Sequence, residues 1–279
     1  QTAAKNLIPT TLELGGKDPM IVLKDANLKR AAQGAAWGAF TNSGQVCMSV
    51  ERLIIEDEIL EPFIEELLPI VNNLKQGSGP DDDIGSMTSR MQIDIVKKQV
   101  EEALEKGARL LTGEHPSDWD PESMYIKPIV LIDVEEDMAI MQDETFGPVL
   151  PIIKANGEDE AIRIANGTRY GLNASVWTEN KEQARRISSK LQSGAVLIND
   201  VVITVANNHL PFGGVKESGV GRYHGENGIR MFCHEKAVME DLGYKKSEIQ
   251  WYPYKGKYDS FRNLLVANFK KSPSLNDVL

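Results

Sequence analysis

Cysteine is almost missing from this chain. Cys47 and Cys233 are the only two in 279 residues. Two thiols cannot build a disulfide framework, and no Cys-x-x-Cys spacing offers a zinc or redox pair. Histidine is scarce too: His115, His209, His224 and His234 are scattered without a ligand pattern, so no metal site is expected. Basic residues fall short of acidic ones, 31 against 41, for a formal net charge of −10. That balance removes the positive patch that nucleic-acid phosphates require, and nucleic acid is excluded as an expected partner. No stretch approaches the roughly 20 apolar residues of a membrane span, and no basic segment followed by an apolar one marks a signal peptide. There are no internal repeats and no low-complexity tracts. A soluble, cytoplasmic protein with no membrane partner is the plain expectation.

What is present is enough apolar material for a core, 41% of the residues, arranged as strands that alternate with helices. Strands are expected at Pro19 to Lys24, Arg52 to Glu56, Ala108 to Leu111, within Tyr125 to Val134, at Val149 to Lys154, Ala174 to Trp177 and Ala195 to Ile198. Helices are expected from Asn27 to Phe40 with Asp25 as its cap, Glu58 to Lys75 with a bend or stop at Pro69, Ser89 to Lys106, Asp159 to Asn166 and Lys181 to Leu191. Leu60, Phe63, Ile64, Leu67, Leu68 and Val71 recur at helical spacing and define one buried face. Helices of ten or more residues between strands argue for crossover connections, hence a mostly parallel sheet covered on both sides in a three-layer α/β fold. Gly34 and Gly38 in the first long helix point to close packing. After Asn199 the pattern changes: Phe212 to Gly221 holds four glycines and reads as a tight or mobile loop near a site.

Cys47 stands in Phe40-Thr41-Asn42-Ser43-Gly44-Gln45-Val46-Cys47-Met48-Ser49, where a helix gives way to a buried strand. A thiol at such a junction can be reached by a substrate. It becomes a useful nucleophile if local donors or a base raise its thiolate fraction, since a free thiol of pKa about 8.5 is a few per cent ionised at neutral pH. The alternative is a buried cysteine acting as a small hydrophobe. Upstream, Thr11-Leu12-Glu13-Leu14-Gly15-Gly16-Lys17-Asp18-Pro19 sets an acid between leucines before two glycines, so Glu13 is a candidate general base, or else an ordinary strand-edge carboxylate. Gln142-Asp143-Glu144-Thr145-Phe146-Gly147-Pro148 ends a helix or loop before an apolar strand. Cys233, next to His234, is held as a structural thiol.

These three segments, with Asn199 and Leu210-Pro211-Phe212-Gly213-Gly214-Val215-Lys216-Glu217-Ser218-Gly219, resemble in order the aldehyde dehydrogenase superfamily. The resemblance runs from about Thr11 to about Ala237. Val201-Val202-Ile203, Gly221-Arg222-Tyr223-His224-Gly225 and Trp251-Tyr252-Pro253-Tyr254 look closest to its dimeric, broad-specificity class 3-like branch.

The resemblance implies a catalytic-domain portion of an NAD(P)-dependent enzyme that oxidises an aldehyde to a carboxylic acid through a thioester on Cys47. Glu13 would activate the deacylating water, the backbone N–H of Cys47 would supply one oxyanion donor, and Glu144 would hold the nicotinamide ribose. Phe146 and Gly15 belong to the same cofactor site, while Asn199 and Phe212 are assigned to substrate or structural support. Residues 1–15 would be a remnant of the cofactor-binding domain, 16–215 the catalytic domain, 216–240 a return segment and 241–279 an oligomerisation arm. NAD or NADP is the expected cofactor, an aldehyde the substrate, and a second copy of the chain the expected partner, in a homodimer or higher oligomer. The chain opens at Gln1, inside what the resemblance makes the middle of a longer enzyme, so weak binding of NAD(P) by this polypeptide is expected. Two other readings stand: a truncated, dehydrogenase-inactive domain serving in oligomerisation, and an acylating relative using coenzyme A or phosphate, against which Glu13 speaks.

Overall fold

Short apolar strands alternate with helices because the apolar residues switch between runs and helical spacing along the chain, and the computed structural model shows what each run covers. It describes the backbone of residues 1–271 and the side chains of residues 1–269. In chain order the elements are α1 (Thr2–Lys5), β1 (Leu12–Glu13), β2 (Asp18–Val22), α2 (Leu28–Phe40), β3 (Val50–Glu56), α3 (Leu60–Asn72), α4 (Arg90–Glu105) and β4 (Arg109–Thr112). They continue with β5 (Ile129–Ile132), α5 (Ala139–Gln142), β6 (Val149–Ala155), α6 (Glu158–Asn166), β7 (Asn173–Trp177), α7 (Lys181–Lys190), β8 (Ala195–Ile198), β9 (Gly219–Val220), α8 (Gly225–Arg230) and α9 (Tyr258–Lys271).

Seven strands form one sheet in the order β4-β5-β6-β3-β2-β7-β8. Every pairing is parallel except β4 with β5 at one edge. Alternation along each strand assigns its residues to two cores. Met20 and Val22 of β2, with Leu53 and Ile55 of β3, face a cluster that includes the alanines of α2 and Phe63 and Leu67 of α3. Ile21 and Ile54 face the other way, onto Val96 and Val100 of α4, Ile164 of α6 and Ile187 of α7. Both faces are buried, as a parallel sheet requires, and the result is three layers. Gly34 lets α2 lie on Trp177, since a methyl there would come within 2.6 Å of the indole.

Two local expectations are corrected. The cap of α2 is Asn27, whose Oδ1 accepts from Arg30 N at 3.1 Å. Asp25 instead accepts from Thr178 Oγ1 and from the backbone N–H groups of Glu179 and Asn180. Pro69 does not end α3, because the helix continues to Asn72.

The chain divides into two units, Gln1–Cys233 and a second from His234 onward. In the second, Tyr252 lies against Tyr254, which meets Phe261 edge to face. Residues 272–279 of the expected arm lie outside the described residues. Among the described residues no helix is long and apolar enough to cross a membrane.

Candidate functional site

The site forms where the leading ends of β2 and β3 meet the turn before β6. After α2 the backbone runs through three left-handed residues, Asn42 (φ 51), Ser43 (φ 58) and Gly44 (φ 71). Such conformations persist only where surroundings hold them. Here Ser43 Oγ donates to Gly85 O at 2.8 Å, and Asn42 and Gln45 exchange side-chain to main-chain bonds at 3.0 Å. Gly44 is required twice over, by its φ and because a Cβ would sit 2.1 Å from Gly147 O. The cysteine turn is thereby pressed onto the turn that carries Glu144 and Phe146.

The glycine pair closes the site from the third side. A Cβ at Gly15 would meet Glu144 Oε2 at 2.2 Å, and one at Gly16 would meet the Cys47 carbonyl oxygen at 2.6 Å and Asp18 Oδ1 at 2.9 Å. Gly16 N donates to Glu144 Oε1 at 3.1 Å. Oε2 carries no hydrogen bond among the described residues.

Cys47 is half-buried. Partial burial pushes its thiol up, and the charges of Asp18, Glu13 and Glu144, in that order, push it further; its own backbone N–H lowers it. Of the two aids a thiolate would need, a local donor is present in the Cys47 N–H, while the neighbouring carboxylate charges act against ionisation. That same N–H makes no bond to a backbone oxygen among the described residues. Glu13, paired with Gly219 across β1 and β9, is exposed; partial desolvation raises its carboxyl and Arg222 lowers it again. The Glu13 Oε1 atom lies 3.0 Å from where a Cβ of Gly213 would stand. Glu144 is raised by burial and by Glu51, and lowered by the Gly16 N–H and Lys17. Phe212 is buried in the same cluster that Cys47 packs against, edge-on to Tyr223 at 5.3 Å.

Asn199 is placed differently. Its Oδ1 accepts from Thr178 N and its Nδ2 donates to Thr178 O, at 3.0 and 2.9 Å, so it ties β8 to the end of β7. No hydrogen bond joins it to the cysteine turn among the described residues. Cys233 is exposed, and not buried as a structural thiol would be. No group of three or more His, Cys, Asp or Glu residues able to hold a metal occurs among the described residues.

Several site residues escaped the sequence reading. Asp18 is buried, accepts from Asn173 N at 3.1 Å through Oδ1, and has no partner for Oδ2 among the described residues; burial holds its carboxyl well above the usual range. Arg52 is buried and donates to the carbonyls of Lys17, Ile164 and Ala165 at 2.9, 2.8 and 2.7 Å, with burial lowering its pKa to about 10. Tyr223 is raised by burial and by the nearby Glu13 and Cys47. The available signal was the charged pair that opens each of two adjacent apolar strands, Lys17-Asp18 and Glu51-Arg52.

Residues 1–238 match the model of the aldehyde dehydrogenase family. The chain is 44% identical over 266 residues to 4,4'-diapolycopene aldehyde oxidase from a Methylomonas species, covering 95% of this chain and 49% of that protein. It is 38% identical over 238 residues to succinate-semialdehyde dehydrogenase [NADP(+)] 1 of Mycobacterium tuberculosis, covering 85% and 51%. Among solved structures, the NAD-dependent aldehyde dehydrogenase from Sinorhizobium meliloti superposes with a TM-score of 0.83 at 37% identity, over 88% of this chain and 48% of that one. The chain thus spans about half the length of the curated relatives it matches.

Proposed function

The chain belongs to the aldehyde dehydrogenase family, and from that premise we propose that it supplies the nucleophile and the base for NAD(P)-dependent oxidation of an aldehyde to a carboxylic acid. The observation that carries the proposal is the glycine pair: Gly15 and Gly16 allow Glu144 and the main chain of Cys47 to close on one strand opening. In this reading Cys47, as thiolate, attacks the aldehyde carbon and forms a thiohemiacetal, then a thioester. The unbonded N–H of Cys47 stabilises the charge that develops on the carbonyl oxygen. Glu13, an exposed carboxylate whose carboxyl is raised by partial desolvation, removes a proton from the water that releases the acid, a contribution of roughly 10²–10⁴-fold. Phe212 and Tyr223 keep the approach dry.

The residues present fit a nicotinamide cofactor at one point. Glu144 has one oxygen tied to Gly16 N and the other open to accept ribose hydroxyls. When bound, the oxidised cofactor supplies a positive ring and accepts the hydride lost by the substrate. A cytoplasmic location, the class 3-like branch and self-association through the segment after residue 240 complete the reading.

A second reading, a folded domain without dehydrogenase activity, is favoured by the exposure of Leu7, Leu12, Leu14 and Val220, apolar side chains on and near β1 and β9. One assay separates the two. The purified chain with NAD+ or NADP+ and a simple aldehyde should produce reduced cofactor by absorbance, and ester hydrolysis should be lost in Cys47→Ala. Ester hydrolysis that survives the substitution removes Cys47 from its role, and an absent cofactor signal favours the second reading.

A further inference from the structure

One carboxylate joins the three segments of the site. Glu51 stands at the start of β3, 3% exposed. Its Oε2 accepts from Lys17 Nζ and from Thr145 N, both at 2.7 Å, and its Oε1 accepts from Phe146 N at 2.8 Å. Lys17 continues the segment that holds Gly15 and Gly16, and donates a second bond to Thr145 Oγ1 at 2.7 Å. Successive main-chain N–H groups converging on one anion form the type of cradle that elsewhere binds phosphate. Here the anion is an internal side chain.

The turn has reason to need a holder. Phe146 has a φ of 48°, in the left-handed region that an aromatic residue seldom adopts. Thr145 is fully buried, and its remaining polar atoms are held as well: its carbonyl accepts from Gln92 Nε2 and its hydroxyl donates to Gln99 Oε1, each at 2.7 Å. Glu144 directly precedes these two residues and folds back over Gly15 to Gly16 N. Its direction is therefore set by a main chain whose next two amides end on Glu51.

We propose that Glu51, neutralised by Lys17, is a positioning residue: it fixes the Glu144–Phe146 turn and so aims the Glu144 carboxylate at a vicinal diol such as a cofactor ribose. Only the identity of the diol rests on the function proposed above. A carboxylate has an acceptor for each amide, whereas a glutamine has one acceptor and must turn an N–H towards the other.

Two variants test this. Glu51→Gln removes one acceptor, and Lys17→Met combined with Glu51→Gln removes both charges together, leaving no lone buried charge. Amide hydrogen exchange on the whole chain reads the turn without any cofactor. Exchange at Thr145 and Phe146 should accelerate by about tenfold or more in both variants, with the amides of Ile21 and Ile54 unchanged. Unaltered exchange at Thr145 and Phe146 overturns the proposal. Titration with NAD+ reads the consequence: Kd should rise about tenfold in the paired variant and rise no further when it is combined with Glu144→Ala than in Glu144→Ala alone. Independent, additive losses overturn the claim that Glu51 acts through Glu144. A parent chain that takes up no NAD+ counts against the cofactor reading, and hydrogen exchange then decides on Glu51.

Discussion

Replacing Gly16 by alanine perturbs Cys47, the proposed nucleophile, through its backbone. The added methyl would stand 2.6 Å from the Cys47 carbonyl oxygen and 2.9 Å from Asp18 Oδ1, several tenths of an ångström inside the ordinary carbon–oxygen contact. Asp18 is anchored to Asn173 N, so it yields little. Cys47 precedes buried Met48 and Ser49, and Ser49 is tied to Gly44 O at 3.0 Å, so the segment moves as a piece or not at all. Overpacking of this type costs about 1–3 kcal/mol, and a displacement approaching 1 Å of a reacting group costs about 10²-fold in rate. Gly16→Ala should therefore lower stability in urea by about 2 kcal/mol and slow Cys47-dependent ester hydrolysis by about 10²-fold. Gly85→Ala is the control, because a Cβ there meets nothing within 4 Å, and it should change stability by no more than about 0.5 kcal/mol. A Gly16→Ala chain as stable and as reactive as the parent would refute the packing argument.

Once Asp18 is ionised its charge acts more strongly on the Cys47 thiol than any other, so above the pH at which Asp18 titrates, Asp18→Asn should move the alkylation of Cys47 by iodoacetamide to lower pH; a profile that stays in place counts against the proximity. The same substitution has a signed effect on stability. The folded carboxyl lies above its unfolded value of about 4, so its contribution is complete below that pH and is lost as pH rises through the folded value. The stability of Asp18→Asn relative to the parent should accordingly increase with pH above about 4, measured by urea unfolding at several pH values. Arg52→Lys should cost about 2–4 kcal/mol, since a lysine cannot serve carbonyls on two elements with a planar fork and leaves some of them unpaired; a chemical-denaturation midpoint equal to the parent's would show that the fork is dispensable.

The fold was legible where burial follows a period. Of the six residues that announce one face of α3, Leu60, Phe63, Ile64, Leu67 and Val71 are buried and Leu68 is half-buried at its edge; the apolar runs at Ile21 and Ile54 announce strands covered on both sides. The cysteine junction was legible because helix end, glycine and strand start adjoin in sequence. What was not legible depends on distance along the chain. Whether Lys17, Asp18, Glu51 and Arg52 face solvent or each other is decided by which strands become neighbours, and period-two patterns carry no such information. The cap of α2 failed on a smaller scale: Asp25 and Asn27 are both capping types, and the choice went to Asn27 because the start of α7 drew Asp25 to its own approaching amides.

The strand order has a consequence for how the chain comes to be folded at all. Strand β2, beside the central strand β3, has that partner shortly after it in the chain, but its other edge waits for β7, where Met20 pairs with Ser175. Until that late segment is made, Met20, Ile21 and Val22 present an unpaired apolar strand edge to solvent, and such edges stick to one another. Joining strands so far apart along the chain slows folding and prolongs the exposure of that edge.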